Sequence, residues 1–335
     1  MEPADKTLTA IDLATMRGIE IGALHNPRLR DHPNVKYLDH ASREELAAKY
    51  ADNPLMQPEI HRLVEVDYVW RPGTTLAATV GADAPVDFVI ASHVIEHIPD
   101  PIGWLAQLAD VVAVGGVLSL IVPDMRFTFD AARALTQPAQ LVDAHLRRLQ
   151  VPSAQQIFDH ESRFLGDVDP GELWRGTCDV AASRRGDVPD ADRFAWQRCL
   201  DSVSSDEYVD VHCSTFTPAS FLDLLDVLDR LDLLTWELAA FFPTEPGHIE
   251  FFVTLRRTEA GAAGRPSRLG AIDAARARTA EHERRHPIAG TSAAPDLPDD
   301  AVAMTVSRRE QRLIERKRQL ATRVRRALPR GGRGS

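Results

Sequence analysis

The chain reads as an α/β protein built on a doubly wound, mostly parallel seven-stranded sheet, with an inserted, largely helical substrate cover and a C-terminal tail. Three features of the 335-residue sequence predict this. Five β-like runs alternate with helical segments in the first third of the chain, the pattern of a parallel sheet covered on both faces. Two further β-like runs follow, joined by a short segment containing Pro and Gly, and read as an antiparallel hairpin closing the sheet edge. Residues 124–215 break the alternation with helical stretches and clusters of charge, Pro and Gly, which marks an insertion.

The strands are expected at Gly18 to Gly22, Val35 to Asp39, Leu63 to Val66, Val86 to Ala91 and Val117 to Val122. Ser42 to Tyr50 is predicted helical because Ser42, a good N-cap, is followed three positions on by Glu45, a capping box. Pro101 to Val112 is the next helix, with Trp104, Leu105, Leu108, Val111 and Val112 on one face. Gly115 and Gly116 then fall where a turn would precede the fifth strand. Within the insertion Leu135 to Leu149 is helical. Beyond it Pro218 suits the first position of a helix to Leu231, whose buried face carries Phe221, Leu222, Leu225 and Leu228. The hairpin takes Leu234 to Phe242 and Ile249 to Arg256, and the folded body (1–257) is expected to end there. Residues 258–304 have the composition of a flexible linker, and 305–335 form a basic tail. Its helix repeats Val306, Leu313, Leu320 and Ala327 every seven residues.

Composition excludes several classes. With 44% apolar and 26% charged residues, the chain is neither disordered nor fibrous. It has no apolar run long enough to span a bilayer and no signal-like N-terminus, so a cytoplasmic protein without a transmembrane segment is expected. Three scattered cysteines are too few for a disulfide framework. Residues 1–257 hold 22 Lys and Arg against 40 Asp and Glu, whereas residues 258–335 hold 17 against 9. An acidic body is unsuited to neutralising phosphates, so no nucleic-acid partner is expected. The basic C-terminal helix is the part suited to a protein or anionic membrane surface.

The chemistry gathers at strand ends. The first strand ends in Glu20-Ile21-Gly22: the glycine admits a ligand close to the backbone, and the carboxylate can accept from a hydroxyl or amine. Leu24 and Asn26 stand where a G-x-G-x-x-G loop would have glycines, so phosphates would be poorly cradled. Asp39 ends the second strand, where an acidic residue binds ribose hydroxyls in nucleotide-binding α/β folds. Asp67, after the third expected strand, is placed to receive an adenine amino group. The fourth strand leads into Ser92-His93-Val94-Ile95-Glu96-His97, and the fifth into Pro123-Asp124.

These motifs resemble class I S-adenosylmethionine-dependent methyltransferases. The resemblance rests on E-I-G at 20–22, Asp39, D-F-V-I-A-S-H-V-I-E-H-I-P-D at 87–100 and G-G-V-L-S-L-I-V-P-D at 115–124, and spans residues 17–257. Within that superfamily the chain looks most like bacterial methyltransferase-domain proteins associated with glycan pathways. The resemblance implies a Rossmann-like methyltransferase fold with S-adenosylmethionine as cofactor. It implies Glu20 and Gly22 near the methionine moiety, Asp39 on the ribose and Asp67 near the adenine, with Ala23, Ser92 and His93 completing the cofactor-contacting set.

The expected reaction is methylation of a hydroxyl on a sugar, glycan or other small acceptor. His93 and His212 are the candidate bases, with Asp124 behind them. Glu96 and His97 read as a helix-packing pair. His160 and His212 match no metal-binding spacing, so no metal site is expected. Trp174, Phe158, Phe164 and Trp196 in the insertion would suit stacking on a sugar ring. Two other classes share parts of this pattern. A nicotinamide-dependent oxidoreductase would want glycines at 24 and 26; a non-catalytic scaffold of the same fold would need no turnover site.

Overall fold

The computed structural model describes residues 1–53, 56–166, 168–184, 188, 190–204, 208–259 and 264–287. The strands are β1 (Gly18–Ile21), β2 (Val35–Asp39), β3 (Tyr68–Val69), β4 (Val86–Ser92), β5 (Val112–Pro123), β6 (Trp236–Phe242) and β7 (Glu250–Arg257). They form one seven-stranded sheet in the order β3-β2-β1-β4-β5-β7-β6. Strands β1 to β5 pair in parallel, and β7 runs antiparallel to both β5 and β6. The strand order reverses between β1 and β4, so the crevice where such sheets bind ligands opens beyond Ile21 and Ser92.

Alternation along the central strands builds two cores. On one face Val89 and Ala91 of β4, Leu118, Leu120 and Val122 of β5, and Phe251, Val253 and Leu255 of β7 pack under the helices. On the other, Phe88, Ile90, Val117, Ile121 and Phe252 are covered by the N-terminal segment from Leu8 to Met16. Gly18 is required by the second core: a Cβ there would lie 2.2 Å from the Phe88 ring.

The helices are α1 (Pro3–Thr7), α2 (Arg43–Lys49), α3 (Leu76–Val80), α4 (Pro101–Val111), α5 (Pro138–Arg147), α6 (Ala154–Arg163), α7 (Pro170–Arg175), α8 (Val180–Ser183), α9 (Ala191–Ser204), α10 (Pro218–Arg230) and α11 (Arg265–Arg285). The capping box of α2 forms as the sequence requires: Ser42 accepts from Glu45 N, and Glu45 reaches back to Ser42 N. In α4, Asp100 caps the start and Trp104, Leu105, Leu108 and Val111 are buried. Among the described residues, 124–215 carry five α-helices, α5 to α9, consistent with a helical insertion.

Three expectations need correction. The third strand is Tyr68–Val69, not Leu63 to Val66: Leu63 and Val64 are buried, but beside the sheet rather than in it. Gly115 and Gly116 do not precede β5 but lie within it, where the pairing slips from Val86↔Val112 to Phe88↔Val117, a bulge. The folded body does not end at Arg257. Helix α11 packs on α10 and β6, burying Arg268, Ile272, Ala275 and Thr279 on one stripe. Its Arg268 pairs with the fully buried Asp229 of α10, and His282 contacts the Thr244 carbonyl at 3.0 Å. The stretch from 265 to 285 is therefore helix, not flexible linker. The basic tail, 305–335, lies outside the described residues. No described helix is long and apolar enough to cross a membrane, and the three cysteines are free.

Candidate active site

A cavity of about 610 Å³ opens at the carboxyl ends of β1, β2, β3 and β4, at the reversal of strand order. Gly22 and Leu24 line it after β1, Asp39 and His40 after β2, Trp70 and Arg71 after β3, and His93 and His97 after β4. Tyr50 and Trp104 supply aromatic wall from α2's end and α4. The insertion contributes Leu149, Gln150, Tyr208 and Asp210.

Gly22 sits in the left-handed region at φ +69, and a Cβ there would come within 2.9 Å of Val94 Cγ2. Gly22→Ala should therefore lower stability by about 1 to 2 kcal/mol through strain and displacement of the β4 loop, read as a fall in Tm. An unchanged Tm would contradict this close approach.

Asp39 is buried yet faces the cavity, and Oδ1 accepts from the His40 backbone N–H at 2.7 Å and contacts His40 Nδ1 at 2.6 Å. Both contacts fall on one oxygen, so the carboxylate can meet a ligand hydroxyl through Oδ2. His93 also lines the cavity, in a strained left-handed conformation at φ +56. Its Nε2 lies 2.7 Å from Glu250 of β7. Burial works against protonation of His93, but the Glu250 and Glu96 carboxylates outweigh it and hold its pKa above the ordinary histidine value. His97 Nδ1 lies 3.0 Å from Asp210, which Lys49 also approaches at 3.1 Å. Despite burial, His97 and Lys49 hold the Asp210 carboxyl well below the usual carboxylate range.

Other expected site residues lie around the cavity rather than in its wall. Glu20 is 1% exposed, and its two oxygens accept from Arg28 N at 2.6 Å and Leu29 N at 3.1 Å, closing the loop after β1. Burial raises its pKa and these two N–H groups oppose the rise. Ser92 Oγ accepts from the Arg28 guanidinium at 2.9 Å, and that guanidinium is 3.5 Å from Glu250. Ala23 packs in the second core. Asp67 precedes β3, and its carboxylate accepts from Tyr37 N at 2.8 Å.

Asp124 is fully buried and holds Arg126 and the Thr244 hydroxyl, the latter at 2.7 Å. His212 is buried behind His97, with Nδ1 2.5 Å from Asp130. Of the insertion aromatics, Trp174 stacks on Phe127 and Phe164 packs on Phe129, while Phe158 and Trp196 are exposed; none borders the cavity. Tyr50, Trp70, Trp104 and Tyr208 form the aromatic wall instead. Of these, Trp104 and Tyr50 read in the sequence only as members of expected helices, and Trp70 and Tyr208 lie in segments with no periodic pattern.

Residues 6–159 match a family described as a methyltransferase domain. No curated protein matches the chain. Among solved structures the chain is similar to a putative Zn-dependent alcohol dehydrogenase from Rhodobacter sphaeroides, at 13% identity over 76% of this chain and 88% of that one, TM-score 0.40. It is also similar to an S-adenosylmethionine-dependent methyltransferase from Methanosarcina mazei, at 15% identity over 77% and 98% of the two chains, TM-score 0.37. A third, the CurJ carbon methyltransferase, shows 14% identity and TM-score 0.30 over 73% of this chain, which spans 49% of that one. At these TM-scores the similarities assign neither substrate nor mechanism.

Proposed function

We propose that the cavity binds S-adenosylmethionine and that the methyl group passes to a hydroxyl of a small acceptor such as a sugar or glycan, a reading supported by the match of residues 6–159 to a methyltransferase-domain family. The observation that carries the reading is that Gly22, Asp39 and His93, from three different strand ends, border one cavity of about 610 Å³. That size is within the range of about 300 to 1,000 Å³ usual for small-ligand sites.

S-adenosylmethionine supplies a sulfonium-bound methyl carbon. Gly22 lets the ligand approach the backbone, and Asp39 accepts from ribose hydroxyls. Trp70 and Arg71, rather than Asp67, border the end of the cavity beyond β3, where an adenine would lie. Glu20 and Ser92 act indirectly, by holding the loop that carries Gly22 and Leu24. Bound in the cavity, the cofactor would give its methyl group to the acceptor oxygen and keep the bonding electron pair on sulfur, so the acceptor's hydroxyl proton would need a base. His93, oriented by Glu250, takes the proton. Asp124 and His212 support the surroundings rather than touching the acceptor.

Titration calorimetry with S-adenosylhomocysteine tests the cofactor assignment. Asp39→Ala should weaken binding about tenfold or more, because a hydrogen bond to a charged acceptor contributes about 1.5 to 3 kcal/mol. Unchanged affinity in a folded variant removes Asp39 from the site. Once screening of hydroxylated sugars yields an acceptor, His93→Gln should lower kcat by about 10² to 10⁴ with cofactor affinity retained. Normal turnover would leave His93 a structural residue.

A further inference from the structure

We propose that Glu96, His97 and His212 form a divalent transition-metal site in the wall of the cavity. Glu96, in the short turn Ile95–His97, is 1% exposed, and neither carboxylate oxygen has a hydrogen-bond partner among the described residues. A buried bare carboxylate is costly unless a cation or donors meet it. The groups around it are imidazoles. His212 Nε2 lies 4.0 Å from Glu96 Oε1 and His93 Nδ1 lies 3.9 Å away, both too far for a hydrogen bond. One ligand atom each from Glu96, His97 and His212 lies within 4.8 Å of the others. Two donors bonded to the same ion at about 2.1 Å are at most about 4.2 Å apart, so the Glu96 to His212 separation spans an ion. The remaining closure is within the reach of side-chain rotation.

The supporting residues are arranged as metal sites require. His212 Nδ1 is engaged by Asp130 at 2.5 Å, and Asp130 is held by the buried Arg133 at 2.8 Å. His97 Nδ1 is faced by Asp210 at 3.0 Å. A carboxylate on the far ring nitrogen fixes the tautomer and turns the other nitrogen toward the ion. The backbone is tied as well: Glu96 O accepts from Cys213 N at 2.6 Å and Ser214 N at 3.1 Å, clamping the Glu96-His97 turn to the His212 segment. One carboxylate and two imidazoles suit Zn(II), Mn(II) or Fe(II) over Mg(II). Of the three ligands only His97 borders the cavity, so an acceptor entering the cavity would reach the ion past the His97 ring. There the ion polarises the acceptor oxygen and lowers the pKa of its hydroxyl, a use that rests on the O-methylation reading above.

The test uses the untagged full-length chain, stripped with chelator and titrated with Co(II) as a spectroscopic probe. One equivalent of Co(II) should bind with visible d–d absorption, be displaced by Zn(II) and not by Mg(II). Glu96→Gln and His212→Gln should each weaken Co(II) binding by more than tenfold, and Asp130→Asn by about 10-fold to 100-fold. Should a buried variant fail to fold by circular dichroism, His97→Gln, at the cavity edge, makes the same comparison. No Co(II) or Zn(II) binding by the wild-type chain at millimolar metal, or wild-type affinity in the folded variants, overturns the site. S-adenosylhomocysteine titration of the same preparations separates this inference from the proposed function. Metal bound without cofactor affinity rejects only the latter, and cofactor bound without metal rejects only the former.

Discussion

Glu20→Ala is expected to lower stability by about 2 to 5 kcal/mol and to weaken cofactor binding with it. The carboxylate is the shared acceptor for Arg28 N and Leu29 N, and its removal leaves two backbone donors unmet beneath the loop. Each unmet buried donor costs about 1 to 3 kcal/mol. The same loop carries Gly22 and Leu24 into the cavity wall, and the Arg28 side chain links it to Ser92. Glu20→Gln should behave differently. Burial raises the pKa of Glu20, so at neutral pH its ionised form opposes folding, and this penalty disappears as pH falls below its folded pKa. A neutral amide keeps one of the two acceptor oxygens without that penalty but turns its NH2 toward the other N–H, so Glu20→Gln should lie between Glu20→Ala and wild type. Urea denaturation of the three proteins decides it: wild-type stability in Glu20→Ala would mean that the two N–H contacts contribute little.

Asp229→Ala should cost about 3 to 5 kcal/mol, the usual result of stripping one partner from a buried ion pair. Asp229 is 1% and Arg268 8% exposed, and Arg265 also approaches the same carboxylate at 3.7 Å. The variant leaves a guanidinium buried between α10 and α11. Truncation after Arg257 removes the helix altogether and uncovers the surface of α10 and β6 on which it packs, and should lower the unfolding temperature. If the chain cut at Arg257 unfolds at the wild-type temperature, α11 adds nothing to the body.

The contrast between α4 and α11 shows what kind of pattern is legible. In α4 the buried face is Trp104, Leu105, Leu108 and Val111 behind an Asp100 cap, so hydrophobic spacing alone marks the helix. In α11 the buried positions 268, 272, 275 and 279 have helical spacing but are Arg, Ile, Ala and Thr. That stripe is too polar to stand out, and it becomes a packing face only because Asp229 waits on α10. The third strand is hidden for a related reason: Tyr68–Val69 is two residues long, and the apolar run just before it, around Leu63, packs beside the sheet.

By itself the sequence determined the alternating sheet, the hairpin that closes it, and the strand ends where Gly22, Asp39 and His93 stand. Each of these depends on local periodicity or on position relative to a strand, which residues near in sequence define. Only the tertiary structure decided that Glu20 and Asp67 hold backbone N–H groups while Trp70, Tyr50 and Tyr208 line the cavity. It alone brought His212 to Glu96 and His97 across more than a hundred residues of chain. Ligand sets and aromatic walls of this kind are made by long-range contacts, and their members share neither a helix nor a strand. No spacing in the sequence encodes their distance in space; the packing of the insertion against the sheet sets it.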